Sequence, residues 1–143
     1  MTGLLFISNA YRSLYTLECI EDFVKKETET YYASSLDSAL YYISEHSKID
    51  TLLIGDDFSY HHNRRVKFYE DFITTLAEIL STAETKNIKI EKVGFLIDLN
   101  NYYKNSETYT QLMFVDYCQK NNIALIDINQ CNIINDFLKF IES

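Results

Sequence analysis

A single α/β domain with a five-stranded parallel sheet is the architecture this sequence predicts. Two observations carry the prediction. Five short apolar runs alternate with stretches whose apolar residues recur every three or four positions, as helices packed on strands require. The runs are continuously apolar rather than alternating, so both faces of each strand are predicted to be buried. A length of 143 residues suits one domain, 1–143, with one core.

The elements follow in order. "LLFIS" (Leu4 to Ser8) is the first strand, and Leu14, Leu17, Ile20, Phe23 and Val24 carry the first helical spacing. "TYYAS" (Thr30 to Ser34) is the second strand. Its following helix places Leu36, Ala39, Leu40 and Ile43 on one face, with Ser35 positioned as its N-cap. "TLLIG" (Thr51 to Gly55) is the third strand, followed by a long helix carrying Val66, Tyr69, Phe72, Ile73, Leu76, Ile79 and Leu80. The polar segment Ser81 to Asn87 reads as the end of that helix and a loop. "KVGFLIDL" (Lys92 to Leu99) is the fourth strand, and a helix centred on Leu112 to Cys118 follows, with Ser106 as its candidate cap. "IALIDI" (Ile123 to Ile128) is the fifth strand, before a last helix with Ile133, Ile134, Phe137, Leu138 and Ile141. This (βα)5 arrangement implies right-handed crossovers and, at this length, the doubly wound flavodoxin-like strand order 2-1-3-4-5.

Composition narrows the function. Apolar residues make up 47% and aromatic residues 15%, which argues against disorder. With no proline and three glycines, turns must rely on Asn, Asp and Ser. A net charge of -8 disfavours nucleic acid as a partner. Cys19, Cys118 and Cys131 form no CxxC spacing, which fits a reducing cytoplasmic location, and no stretch has the length of a membrane span.

In an open parallel sheet, ligands bind at the carboxyl ends of the strands. Here that rim is predicted to receive Ser8 and Asn9, Ser34 and Ser35, Asp56 and Asp57, Asp98 with Asn100 and Asn101, and Asp127 with Asn129. Asp56, Asp57 and Asp98 are the candidate catalytic carboxylates, and Asp56 and Asp57 are the candidate ligands for Mg²⁺. Ser8, Asn9, Asp56, Asp57, Asp98 and Asn100 together make the candidate ligand rim. The competing reading is structural, because Asp and Asn favour turns and cap helices at strand ends.

"YYASSLDSALYYISEHSKIDTLLIGDDF" (Tyr31 to Phe58) resembles the middle of a response-regulator receiver domain. The resemblance rests on a second strand ending in small residues, the pair Ala39-Leu40 in the next helix, and Asp50 opening the third strand. It implies a receiver fold over the whole chain. The phosphorylation chemistry is not matched. The acidic metal pair of receivers falls on Ser8 and Asn9, and the phosphoacceptor column falls on Gly55, one place before Asp56. The switch position after the fourth strand is Asp98 or Leu99. The lysine expected near Ile128 or Asn129 is missing, since no lysine lies between Lys120 and Lys139. Without the metal pair and the lysine, phosphoryl transfer lacks charge neutralisation. The resemblance thus implies a degenerate pseudo-receiver: a non-catalytic module that recognises a protein partner, or a second copy of itself, and needs no cofactor.

Other readings stand beside it. A metal-assisted phospho- or nucleotide-processing hydrolase would use the strand-end carboxylates with Mg²⁺. "LLFISNAYRS" (Leu4 to Ser13) is similar to the first strand and loop of TIR domains, some of which cleave NAD with a helix glutamate, although Glu45 lies too far along its helix for that role. His61-His62 lacks any HExxH spacing, and His46 is expected on the opposite rim. Cys131 opens the last helix, where the dipole would lower a thiol pKa, but a Cys-His nucleophile needs a histidine nearby. There are 12 tyrosines, several in doublets, and at most one member of a doublet can face the core fully. Tyr31, Tyr32, Tyr41 and Tyr42, on the second strand and the helix beside it, are therefore the predicted protein interface.

Overall fold

Leu4 and Leu5 are adjacent in sequence and fully buried, yet they belong to two different apolar clusters. That is possible only on a strand covered on both faces, because successive side chains point to opposite sides. The structure is a computed structural model that describes residues 3–8, 29–55, 59–61, 64–65, 68–97, 108–127, 136 and 139–141. Its elements are β1 (Gly3–Ile7), β2 (Glu29–Ala33), α1 (Leu36–Glu45), β3 (Thr51–Gly55), β4 (Ser59–His61), β5 (Arg64–Arg65), α2 (Phe68–Thr85), β6 (Lys92–Ile97), α3 (Thr108–Lys120) and β7 (Ile123–Asp127).

Five strands form one parallel sheet in the order β2-β1-β3-β6-β7, which is 2-1-3-4-5 when the sheet strands alone are counted. Helices lie between the strands, and the fold is flavodoxin-like α/β, as the alternation of runs predicts. On one face Leu5, Ile7, Leu52, Ile54, Phe95 and Ile97 meet Leu36, Ala39 and Ile43 of α1, Phe72, Leu76, Ile79 and Ala83 of α2, and Phe114 and Cys118 of α3. Phe72, Phe95 and Phe114 form its centre, with ring centroids 4.2 to 5.7 Å apart. On the other face Leu4, Phe6, Leu53, Leu96 and Ile126 pack with Phe140. Every side chain of β1 and β3 is buried, which explains why these strands read as unbroken apolar runs.

Local signals account for the ends of the elements. Ser35 caps α1 in a reciprocal arrangement: its hydroxyl accepts from Ser38 N at 3.3 Å, and Ser38 Oγ accepts from Ser35 N at 3.2 Å. Asn87 and Asn122 end the turns after α2 and α3 with φ of 59° and 56°, left-handed conformations that asparagine tolerates in place of glycine.

Three expectations are revised. β1 and β2 each end one residue earlier than their apolar runs suggest. Between β3 and the long helix, where no strand is predicted, β4 pairs antiparallel with β5. Such short polar strands have no alternating apolar pattern to announce them. Leu80, placed on the apolar face of α2, is 37% exposed, and Ala83 takes the next core position instead. The first predicted helix, Ser106, Cys19 and Cys131 lie outside the described residues, as does all of the last helix except Asp136 and 139–141.

Candidate functional site

The sheet register sets the carboxyl rim. Ile7 lies opposite both Ala33 and Ile54, Gly55 lies opposite Leu96, and Ile97 lies opposite Asp127. The ends of all five strands therefore arrive at one edge. Three polar residues there are buried: Ser8 after β1, Ser35 after β2 and Asp127 at the end of β7. Asp127 is on the edge strand, two strand spacings or roughly 10 Å from the end of β3. Asn9, Asp56, Asp57, Asp98, Asn100 and Asn129 lie outside the described residues, and so does His62. Among the described residues, no group of three or more His, Cys, Asp or Glu is placed to hold a metal ion.

Ser8 is 3% exposed, and its main chain is committed on both sides. Its N–H donates to Ala33 O at 2.9 Å, and its carbonyl accepts the Tyr32 hydroxyl at 2.7 Å. Tyr32 thus fastens the edge strand to the end of β1, with its ring stacked on Phe6 at 6.1 Å. Its hydroxyl proton is used in this internal bond.

The tyrosine-bearing side is more open. Tyr31 and Tyr32 pack on opposite faces of the sheet, and both are half-buried, because both faces of β2 are covered. Tyr41 on α1 is 62% exposed, the most exposed large apolar side chain among the described residues. Its ring meets Tyr42 edge-on, at 5.9 Å and 68°. Tyr42 continues to Tyr31 at 5.7 Å and to His46 at 5.7 Å, and His46 stacks on Tyr31 at 4.2 Å. Four rings thus form one cluster between α1 with its C-cap and the edge strand β2.

His46 was expected only at the far rim, and its part in the cluster is the contact the sequence reading missed. The spacing of four from Tyr42 is the signal that points to it, because residues four apart share a helix face. His46 is the C-cap of α1, and its N–H donates to Tyr42 O at 2.9 Å.

The charges around the cluster are interlocked. The Tyr31 hydroxyl donates to the Glu29 carboxylate, and Lys48 Nζ lies 3.7 Å from the same group. The hydrogen bond from Tyr31, then the charge of Lys48, pull the Glu29 carboxyl below its ordinary value. The same bond pushes the Tyr31 phenol up. On the opposite side of the core, burial pushes the Cys118 thiol up to about 12, so it stays protonated and unreactive.

Compared with known proteins, the chain matches no family model and no curated sequence. No described helix is long and apolar enough to cross a membrane.

Proposed function

We propose that this protein is a non-catalytic, receiver-like regulatory module that binds a protein partner through the face formed by α1 and β2. Tyr41 carries the reading. A large aromatic side chain held 62% exposed on a braced ring cluster offers contact area with little rotational entropy left to lose on binding. The rim lends support. The Ser8 position, which bears a metal-binding acid in receivers, is buried here and its main chain is tied to Ala33 and Tyr32. The work of the domain is then recognition, in the cytoplasm, without a cofactor.

A photo-crosslinking benzophenone amino acid at position 41, with the exposed position 86 as control, tests this in the native host. A discrete protein adduct from 41 and none from 86 is the expected result. No adduct from 41, or the same adducts from both, overturns the proposal. A thermal melt with Mg²⁺, Mn²⁺ and beryllofluoride tests the rival hydrolase or phospho-receiver chemistry. A ligand that binds only the folded state raises Tm by mass action. No shift is expected, and a metal-dependent rise lost in Asp56→Asn would favour catalysis at the rim.

A further inference from the structure

We infer that the segment docking on α1 is cationic: a stretch of a heterologous protein partner that sets arginine or lysine against Asp37, Tyr41 and Glu45. The inference rests on the interaction reading above and adds the chemistry of the occupant. Asp37, Tyr41 and Glu45 are spaced by four along α1 and all three are exposed. A rise of about 1.5 Å per residue sets them roughly 6 Å apart on one stripe. An exposed aromatic residue with a carboxylate about one helical turn to either side along the helix suits a guanidinium or ammonium group. The ring attracts the cation, and the carboxylates accept its N–H donors.

Nothing on the helix competes for that role. The α1 sequence LDSALYYISE contains no lysine or arginine. Lys48, the next cation along the chain, is paired with Glu29 at 3.7 Å. The Tyr41 ring is already braced by Tyr42, so capturing a cation freezes little that is mobile. The same charges disfavour a second copy of this chain as the occupant. Two such stripes face to face would bring four carboxylates together, on a chain whose net charge is -8.

The test is NMR of the full chain, titrated with a short helical peptide bearing arginines four residues apart and with the same peptide carrying glutamines instead. The arginine peptide is expected to shift the backbone resonances of 37–45 saturably, and more weakly as salt is added. In Asp37→Asn/Glu45→Gln the affinity should fall about fivefold, equivalent to ~1 kcal/mol. The exposed pair Glu78→Gln/Glu84→Gln on α2 should leave the affinity unchanged. Asp37 also supports the first turn of its helix through the dipole. Each variant is therefore melted, and Asp37→Glu, which keeps the charge, should bind as the wild type does.

Unchanged affinity in Asp37→Asn/Glu45→Gln overturns the inference, as does an equal loss in the α2 pair, which would signify bulk charge alone. If the glutamine peptide shifts the same resonances as strongly, the occupant is uncharged: this inference falls and the interaction reading stands. If neither peptide moves α1 and position 41 gives no crosslink, both fall together.

Discussion

At Gly3 a Cβ would lie 2.5 Å from Lys48 O and 2.8 Å from Lys48 C, both main-chain atoms that cannot swing aside. The reason for the close approach is Asp50. Its N–H donates to Gly3 O at 3.0 Å, and its Oδ1 accepts from Thr51 Oγ1 at 2.9 Å and from Gly3 N at 3.4 Å. Its carbonyl accepts from Glu91 N at 2.7 Å and Lys92 N at 3.2 Å. One residue thus gathers the amino ends of β1, β3 and β6. Gly3→Ala should cost about 1–3 kcal/mol through overpacking, and Asp50→Ala about the same through donors left unpaired. Urea melts check both, as a lower midpoint at constant slope. Thr75 predicts the opposite sign. It is fully buried, and its hydroxyl has no hydrogen-bond partner among the described residues. Thr75→Val should therefore raise stability by about 1 kcal/mol. None of these roles is legible in the sequence. Whether a glycine is crowded depends here on Lys48, 45 residues away, and whether a buried hydroxyl finds a partner depends on its packed neighbours; local spacing records neither.

Elements were far more legible than contacts. The buried face of α1, Leu36, Ala39 and Ile43, and the core line of α2, Phe72, Leu76 and Ile79, follow directly from helical spacing. The capping role of Ser35 followed from residue type. The β4–β5 pairing was hidden because five polar-leaning residues have no periodicity. How the chain end docks was hidden too. A Cβ on Gly94 of β6 would meet the Phe140 ring at 2.9 and 3.1 Å and Leu53 Cδ1 at 3.2 Å, so the ring nests over the bare backbone of the strand. Lys92 Nζ adds a hydrogen bond to Ile141 O at 2.5 Å. Phe140→Ala is expected to cost about 3 kcal/mol through the cavity it leaves, and Gly94→Ala about 1–3 kcal/mol. Because both changes act on one contact, the double variant should cost clearly less than their sum. Strict additivity in a denaturant cycle would show that Phe140 does not seat on Gly94.

For the whole molecule, the parallel sheet and its strand order were readable because buried strands carry unbroken apolar runs, while the site was not. Aspartates at strand ends serve turns and ligands alike, so residue type alone leaves Asp56, Asp57 and Asp98 undecided. The same core that makes the fold readable also makes its stability depend on alkaline pH. Burial raises the Cys118 thiol from an ordinary 9.0 to about 12, and burial, then the nearby Cys118, raises Tyr117, while Glu29 raises Tyr31. Each of these groups keeps its proton in the folded chain at a pH where the unfolded chain has lost it. The folded state then binds more protons, so stability falls as pH rises. The contribution of Cys118 is complete below pH 9.0 and is lost progressively as pH climbs toward about 12. Glu29 acts at the other end: its lowered carboxyl favours folding above 4.5 and loses that contribution as pH falls, but full exposure keeps the effect small. Melts from neutral pH upward should show a steady Tm to about pH 9 and a decline beyond it. Cys118→Ala separates the thiol from the general repulsion of an acidic chain: it lowers Tm at neutral pH by removing core volume, and it flattens the alkaline decline. A decline just as steep in Cys118→Ala would assign the alkaline loss to the tyrosines and to net charge instead of the buried thiol.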